Sequence, residues 1–319
     1  MIILLYLFIF TISCVVVIKS ASLTIKALAK IAKFLNWSEF FVSFLLMAVA
    51  TSLPELFVGT TSAINGLSQL SFGNVIGSNI INLTLVIAVA VLLGGKLLAD
   101  NLTTQRTTIY TSLIALLPLL LMLNSKVSRI EGIILIIVLG LYLWWIFKIK
   151  RRFQEEFTAA LDKKEQGTIF FLKDMGMFLV GVLLLILSSE GIVWTSSKMA
   201  VFFGIPTVVI GTVLVALGTN LPEIIFSIKA VRMGHKNMVL GNLMGSVIFN
   251  STLVLGATVL IAPLRIFALS PYVVGIIFTA LTVLFFRLFV KSNQSISKKE
   301  ALLLLAIYLT FIVTQFVLS

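Results

Sequence analysis

Apolar residues run along this chain in long blocks, without the strict alternation of a half-buried strand or the three-four spacing of a surface helix. A block needs about 20 apolar residues to cross a hydrocarbon core. Ten blocks fit, near residues 2–20, 38–63, 72–95, 107–123, 130–147, 174–197, 204–228, 238–262, 270–290 and 301–318. Loops carrying charge, Gly or Asn separate them. The pattern predicts an all-α polytopic membrane protein with ten transmembrane helices. The first block has no cleavage site of the A-x-A type and continues into an amphipathic Lys-bearing tail, so it reads as a retained span and not as a signal peptide.

Composition narrows the chemistry. Of 319 residues 60% are hydrophobic and 11% charged, whereas soluble domains carry about a quarter charged residues. One Cys and one His exclude an internal disulfide and a His-based zinc site, so any metal chemistry has to use oxygen ligands. The net charge of +12 becomes topology once the basic residues are placed. With the long loop 148–173 inside, 20 of the 24 Lys and Arg fall on the inside, which satisfies the positive-inside rule. Both termini then face out. The basic balance requires no nucleic-acid partner, the lipid bilayer is the surrounding partner, and no obligate protein partner is evident. Absence of an organellar targeting signal leaves the plasma (inner) membrane as the expected location.

Two segments repeat. ATSLPE at 50–55 returns as GTNLPE at 218–223, and GNVIGSNIIN at 73–82 returns as GNLMGSVIFN at 241–250. The differences 223 minus 55 and 241 minus 73 are both 168. One register across two motifs predicts a duplicated five-helix unit: residues 1–147 (motif region 45–92), a basic cytoplasmic linker 148–173, and residues 174–319 (motif region 213–260). Because five is odd, the second copy inserts upside down relative to the first. Inverted repeats commonly place a substrate at the bilayer midplane, with interrupted helices supplying ligands. Pro54 lacks the amide that would pair with the Ala50 carbonyl, and Pro222 does the same to Gly218, so a helix opening is expected beside each following Glu.

Nine of the twelve acids fall in loops or near the estimated interfaces, and Glu55, Glu190 and Glu223 do not. An ionisable residue at depth is costly and is a functional candidate by default. Glu190 aligns with Ser22 and has no acidic counterpart, so it reads as interfacial or structural, while His235 reads as a solvated loop residue. Two carboxylates meeting at the midplane repel unless they are protonated or share a cation, and a divalent ion matches their charge. Thr51 and Ser52 lie one helical turn before Glu55, and Thr219 and Asn220 hold those places before Glu223. Asn74, Ser78 and Asn82 form an i, i+4, i+8 stripe, matched by Asn242, Ser246 and Asn250. Such an all-oxygen shell with neutral members suits Ca²⁺ or Na⁺ better than Mg²⁺. Glycines at 73, 77, 241 and 245 are expected to let the motif helices approach closely.

At these residues the sequence resembles the sodium/calcium exchangers of the calcium:cation antiporter superfamily, in their compact ten-helix prokaryotic form, whose two alpha-repeats carry the same doubled motifs. The resemblance implies alternating access with Ca²⁺ and Na⁺ competing for one central site. It implies that Glu55 and Glu223 are shared ligands, that Thr51 and Thr219 contribute to the calcium site, and that Ser52, Ser78, Ser246 and the carbonyls of Ala48 and Ala216 form sodium sites. It implies no cofactor, the transported ions binding as substrates. Three positions depart from the usual pattern. Ala50 replaces a common Gly, Asn220 a usual Ser, and Asn250 an Asp frequent in microbial members. With Asn at 82 and 250 the formal site charge is −2, which balances one Ca²⁺ or two Na⁺.

Other readings stay open on sequence alone. Buried carboxylates also titrate, so exchange driven by H⁺ or K⁺ is the first alternative, and a passive cation channel the second. An enzyme is disfavoured because the chain has no Ser/His pair, paired intramembrane Asp or Cys/His constellation.

Overall fold

The computed structural model describes residues 2–34, 50–99, 102–122, 125–149, 168–232, 236–266 and 270–318. His235, Ala48 and most of the linker lie outside the described residues. The described residues are helical almost throughout. Helix α1 spans Ile2–Phe34, α2 Ala50–Ile64, α3 Ser68–Gly94, α4 Leu102–Leu121, α5 Arg129–Ile149 and α6 Thr168–Phe203. Then follow α7 (Thr207–Thr219), α8 (Leu221–Arg232), α9 (Lys236–Ile261), α10 (Ser270–Asn293) and α11 (Lys298–Val317).

Among the described residues eight segments are long and apolar enough to cross a membrane: α1, α3, α5, α6, α7 with α8, α9, α10 and α11. The expected second and fourth spans are not among them. Only the stretch from Ala50 onward of the second is described, as the 15-residue α2. The fourth forms the 20-residue α4, whose first half, LTTQRTTIYT, is too polar. The first and sixth spans are longer than their apolar blocks. Helix α1 has 33 residues and α6 has 36, about 50 and 54 Å at about 1.5 Å per residue. A hydrocarbon core of about 30 Å holds neither upright in full. The two helices pack along each other, and Lys30 of α1 lies 3.6 Å from Asp174 of α6.

Burial sorts the helices into a centre and a coat. Helices α3, α7–α8 and α9 are the most enclosed, whereas α1, α5 and α11 are the least. The outer helices carry large apolar side chains on their exposed faces, such as Leu4, Phe8, Leu183, Leu302 and Leu309, as lipid contact requires. Inside, α3 packs against α7, α9 against α2 and α5, and α8 against the end of α3.

Three of the central helices contain a π-helical turn, at Asn82–Val86 in α3, Gly211–Val215 in α7 and Asn250–Val254 in α9. Such a turn widens the helix and displaces one backbone hydrogen bond. In each turn a threonine hydroxyl reaches back to the carbonyl four residues earlier: Thr84 to Ile80 at 2.5 Å, Thr212 to Val208 at 2.5 Å and Thr252 to Ile248 at 2.6 Å. The hydroxyl supplies a donor to a buried carbonyl where the π turn has shifted the amide ladder.

Two minimal strand pairs join distant loops. Strand β1 (Leu97–Leu98) pairs antiparallel with β4 (Ser295–Ile296), and β2 (Lys126–Val127) with β3 (Leu264–Arg265). Backbone bonds from Ala99 to Gln294 (2.7 Å) and from Ile266 to Ser125 (2.9 Å) extend them. Ser125 and Gln294 take left-handed backbone, with φ of 57° and 48°, to turn the chain into β2 and β4. A capping box between Ser297 and Glu300 then starts α11.

Candidate functional site

The polar residues of the two motifs lie on the enclosed helices and are buried. Helix α2 carries Ser52 and Glu55, α3 carries Asn74, Ser78 and Asn82, α7 and its end carry Ala216, Thr219 and Asn220, α8 carries Glu223, and α9 carries Asn242, Ser246 and Asn250. All of these side chains are buried, Glu55 and Glu223 completely. Of the expected site residues, Ala48 and the side chain of Thr51 fall outside the described residues.

The helix openings differ between the two motifs. Between α7 and α8 the helix is interrupted at Asn220, with φ −85° and ψ 2°, and Pro222 sits in the first turn of α8. Glu223 follows at the start of a helix, where backbone amides favour an acid. In the first motif α2 runs through Pro54 without a break from Ala50 onward, so the expected opening beside Glu55 is not seen in its described part.

Close backbone approach brings the segments together. A Cβ added to Gly73 would lie 2.2 Å from the Val208 carbonyl oxygen, and one on Gly77 2.1 Å from that of Thr212. Only glycine at both places lets α3 lie directly on the π turn of α7. At Gly241 and Gly245 no described atom lies within 4 Å, so the close packing expected there is not found among the described residues.

Hydrogen bonds stitch the shell across the two motifs. Thr219 Oγ1 donates to Asn74 Oδ1 at 3.2 Å, and Asn220 Nδ2 donates to Ser78 Oγ at 2.6 Å and to the Ala216 carbonyl at 2.7 Å. Glu55 faces Thr219, Glu223 faces Ser246, and the two carboxylates lie within electrostatic reach of each other. None of their four oxygens has a hydrogen-bond partner of good geometry. Ser52 Oγ, Asn220 Oδ1 and both polar atoms of Asn82 and Asn250 are likewise buried without one. Buried polar groups are nearly always satisfied, and a buried anion pair is costlier still to leave bare. Buried, unpartnered oxygens together with two carboxylates are the donor type that could hold a hard cation. Asn82 and Asn250 each open a π turn, and both are fully buried. Among the described residues no three of His, Cys, Asp or Glu gather, which leaves oxygen chemistry with two formal charges.

Two features escaped the sequence. Asn79 Nδ2 donates to Ser251 Oγ at 2.8 Å, and Ser71 and Thr258 share a hydrogen bond of 2.7 Å. Neither Asn79 nor Ser251 has a polar counterpart at the 168-residue offset, where Val247 and Leu83 stand, so the repeat gave no signal. Glu190, set apart from the other two acids as interfacial or structural, has an exposed side chain that accepts from Asn65 Nδ2 at 2.9 Å. A groove of about 450 Å³ lined by Arg106, Ile109, Tyr110, Leu113 and Trp145 includes no member of the polar cluster.

The sequence model of the family described as sodium/calcium exchanger protein matches residues 5–148 and 173–317. The sodium/calcium exchanger MaX1 of Methanosarcina acetivorans is 28% identical over 95% of this chain and 96% of its own length. The putative antiporter CaxA of Alkalimonas amylolytica is 31% identical over 78% of each chain. Among solved structures, the sodium-calcium exchanger NCX_Mj superposes with a TM-score of 0.64 at 25% identity, covering 98% of this chain and 99% of the other. The H⁺/Ca²⁺ exchanger CAX shares the fold, with a TM-score of 0.72 at 18% identity over 98% of this chain and 87% of that one. With nearly its whole length matched, the chain belongs to the sodium/calcium exchanger family and is a multi-pass membrane antiporter of cations, not an enzyme.

Proposed function

We propose that the protein exchanges Ca²⁺ for Na⁺ by alternating access at one central site shared by two inverted five-helix repeats. The observation that carries this reading is the meeting of Glu55 and Glu223, 168 residues apart, as buried carboxylates without hydrogen-bond partners inside a shell of neutral oxygens. Glu55 and Glu223 serve as ligands to either ion. Thr51 and Thr219 complete the calcium site, while Ser52, Ser78, Ser246 and the carbonyls of Ala48 and Ala216 supply sodium ligands. Asn82, Asn220 and Asn250 contribute neutral amide oxygen.

Several features support the repeat. The two stretches matched by the family begin at residues 5 and 173, again 168 apart. The π turns at Asn82 and Asn250 keep the same spacing. Pairing of Leu97–Leu98 with Ser295–Ile296, and of Lys126–Val127 with Leu264–Arg265, supports a reading of ten spans with both termini outside and the linker 148–173 cytoplasmic. The long pair α1 and α6, packed on each other at the edge of the core, is suited to slide across it as the site opens to one side and then the other.

Vesicles reconstituted with the protein, loaded with Na⁺ and diluted into ⁴⁵Ca²⁺, test the reading. Uptake should require the outward Na⁺ gradient and should fall at least about 100-fold in Glu55→Gln and in Glu223→Gln, since each variant removes half the site's charge from a low-dielectric cage. Uptake driven equally by a proton or K⁺ gradient would instead assign a different coupling ion, because a buried carboxylate also binds protons. Uptake indifferent to every gradient would point to a channel.

A further inference from the structure

Asn220 occupies the place that corresponds, at the offset of 168, to Ser52, and it does more than enlarge the side chain. Its amide nitrogen donates to Ser78 Oγ at 2.6 Å and to the Ala216 carbonyl oxygen at 2.7 Å. An amide NH₂ has two hydrogens and accepts nothing, so both hydrogens are engaged. The Ala216 carbonyl is an acceptor only, which fixes the amide's orientation. The NH₂ faces these two oxygens, and Oδ1 is left buried without a partner.

Ser78 Oγ and the Ala216 carbonyl are both oxygens of the proposed cation shell. The nitrogen that joins them is the positive end of the amide dipole. At 2.6 and 2.7 Å from them, it stands at or just beyond the roughly 2.3–2.6 Å at which a hard cation such as Ca²⁺ meets oxygen. A cation bound between the two would overlap it. The site's charge points the same way. Two carboxylates balance two Na⁺, and Asn82 and Asn250 are neutral. No third acid joins them among the described residues. A third Na⁺ would thus need both the space the amide fills and a negative charge that is absent, and an uncompensated buried charge is strongly disfavoured.

We propose, resting on the exchange reading above, that the Asn220 amide stands in for one Na⁺, and that each cycle exchanges two Na⁺ for one Ca²⁺ without moving net charge.

The test uses the reconstituted full-length protein, with the membrane potential clamped by K⁺ and valinomycin and the Ca²⁺ ratio read at equilibrium under a fixed Na⁺ gradient. The Ca²⁺ ratio is expected to follow the square of the Na⁺ ratio and to ignore the clamp. A cubic dependence, with a tenfold shift for each ~60 mV as one net charge per cycle demands, would overturn the proposal while leaving Na⁺/Ca²⁺ exchange intact. Absence of any Na⁺-driven Ca²⁺ uptake would instead sink the exchange reading on which it rests. Variants separate space from charge. Asn250→Asp alone restores a charge but leaves the amide in place, and should remain indifferent to potential in Na⁺ dependence. Asn220→Ser combined with Asn250→Asp should raise the Na⁺ Hill coefficient and make exchange electrogenic. If Asn250→Asp alone admits the third Na⁺, the amide is not the block. The wild-type ratio decides the stoichiometry even where a variant folds poorly.

Discussion

The side-chain amide of Asn65 donates to Oε2 of Glu190 across 2.9 Å, tying the turn between α2 and α3 to the long helix α6. A hydrogen bond to a charged group is worth about 1.5–3 kcal/mol net, and less where both partners are exposed. If α6 slides across the core during transport, this bond belongs to one end of the stroke and has to break at the other. Asn65→Ala and Glu190→Ala should therefore each shift the apparent Na⁺ affinity on one side of the membrane by up to about fivefold, in the same direction. The double variant should be no worse than either single, which sided ⁴⁵Ca²⁺ flux in a double-mutant cycle reads directly. Additive effects would mean that the two residues act separately.

The threonines of the π turns make a second test. Thr84→Val and Thr252→Val keep side-chain shape but leave the Ile80 and Ile248 carbonyls without the hydroxyl that now serves them. Each loss should lower stability by about 1–3 kcal/mol, seen as a fall in the melting temperature of the detergent-solubilised protein. Transport should fall as well, because Asn82 and Asn250 lie on the same turns. A valine variant with unaltered melting would show that the carbonyl finds another donor.

Glycine packing gives a graded comparison. Gly77→Ala sets a Cβ 2.1 Å from the Thr212 carbonyl and 2.7 Å from Ala216 Cβ, whereas nothing lies within 4 Å of the same atom at Gly140 on α5. Overpacking costs typically about 1–3 kcal/mol, and pushing two backbones apart belongs at the upper end. Gly140→Ala should be neutral or slightly stabilising through its gain in helix propensity. Thermal unfolding of the two variants side by side measures the difference.

Cation binding should be visible without transport. Two bare carboxylates in an enclosed site repel until an ion joins them, so a ligand that binds only the folded state raises stability, by about 2.7 kcal/mol at a concentration about 100 times its dissociation constant. Ca²⁺ should raise the melting temperature, chelation should reverse the rise, and Glu223→Gln should abolish it. An equal rise in Glu223→Gln would place calcium elsewhere on the molecule.

Much of this was legible in the chain. Glu55 and Glu223, with Asn74, Ser78, Asn82 and their counterparts, stood out because two polar motifs in an apolar background kept one spacing, and folding buries all of them. Other features carried no such signal. The π turns contain the same residue types as the α-helices around them, so hydropathy cannot see the inserted residue. Strands of two residues are too short for any alternation to register. The length of α1 was hidden because its second half trades lipid-facing apolar residues for lysines, which ended the apolar block but not the helix. Glu190 was separable from the other two buried-looking acids because no acid stands at its repeat position, but its partner Asn65, in a turn far along the chain, carried no signal.

The strand pairs carry one more consequence. Each of β1–β4 and β2–β3 hooks a loop from the first half of the chain onto a loop from the second, and the buried helices of the halves interlock between these hooks. Covalent continuity is then not what keeps the halves together. Severed anywhere between residues 150 and 167 and produced as separate polypeptides, the pieces should find each other in the membrane and co-purify as a working pair.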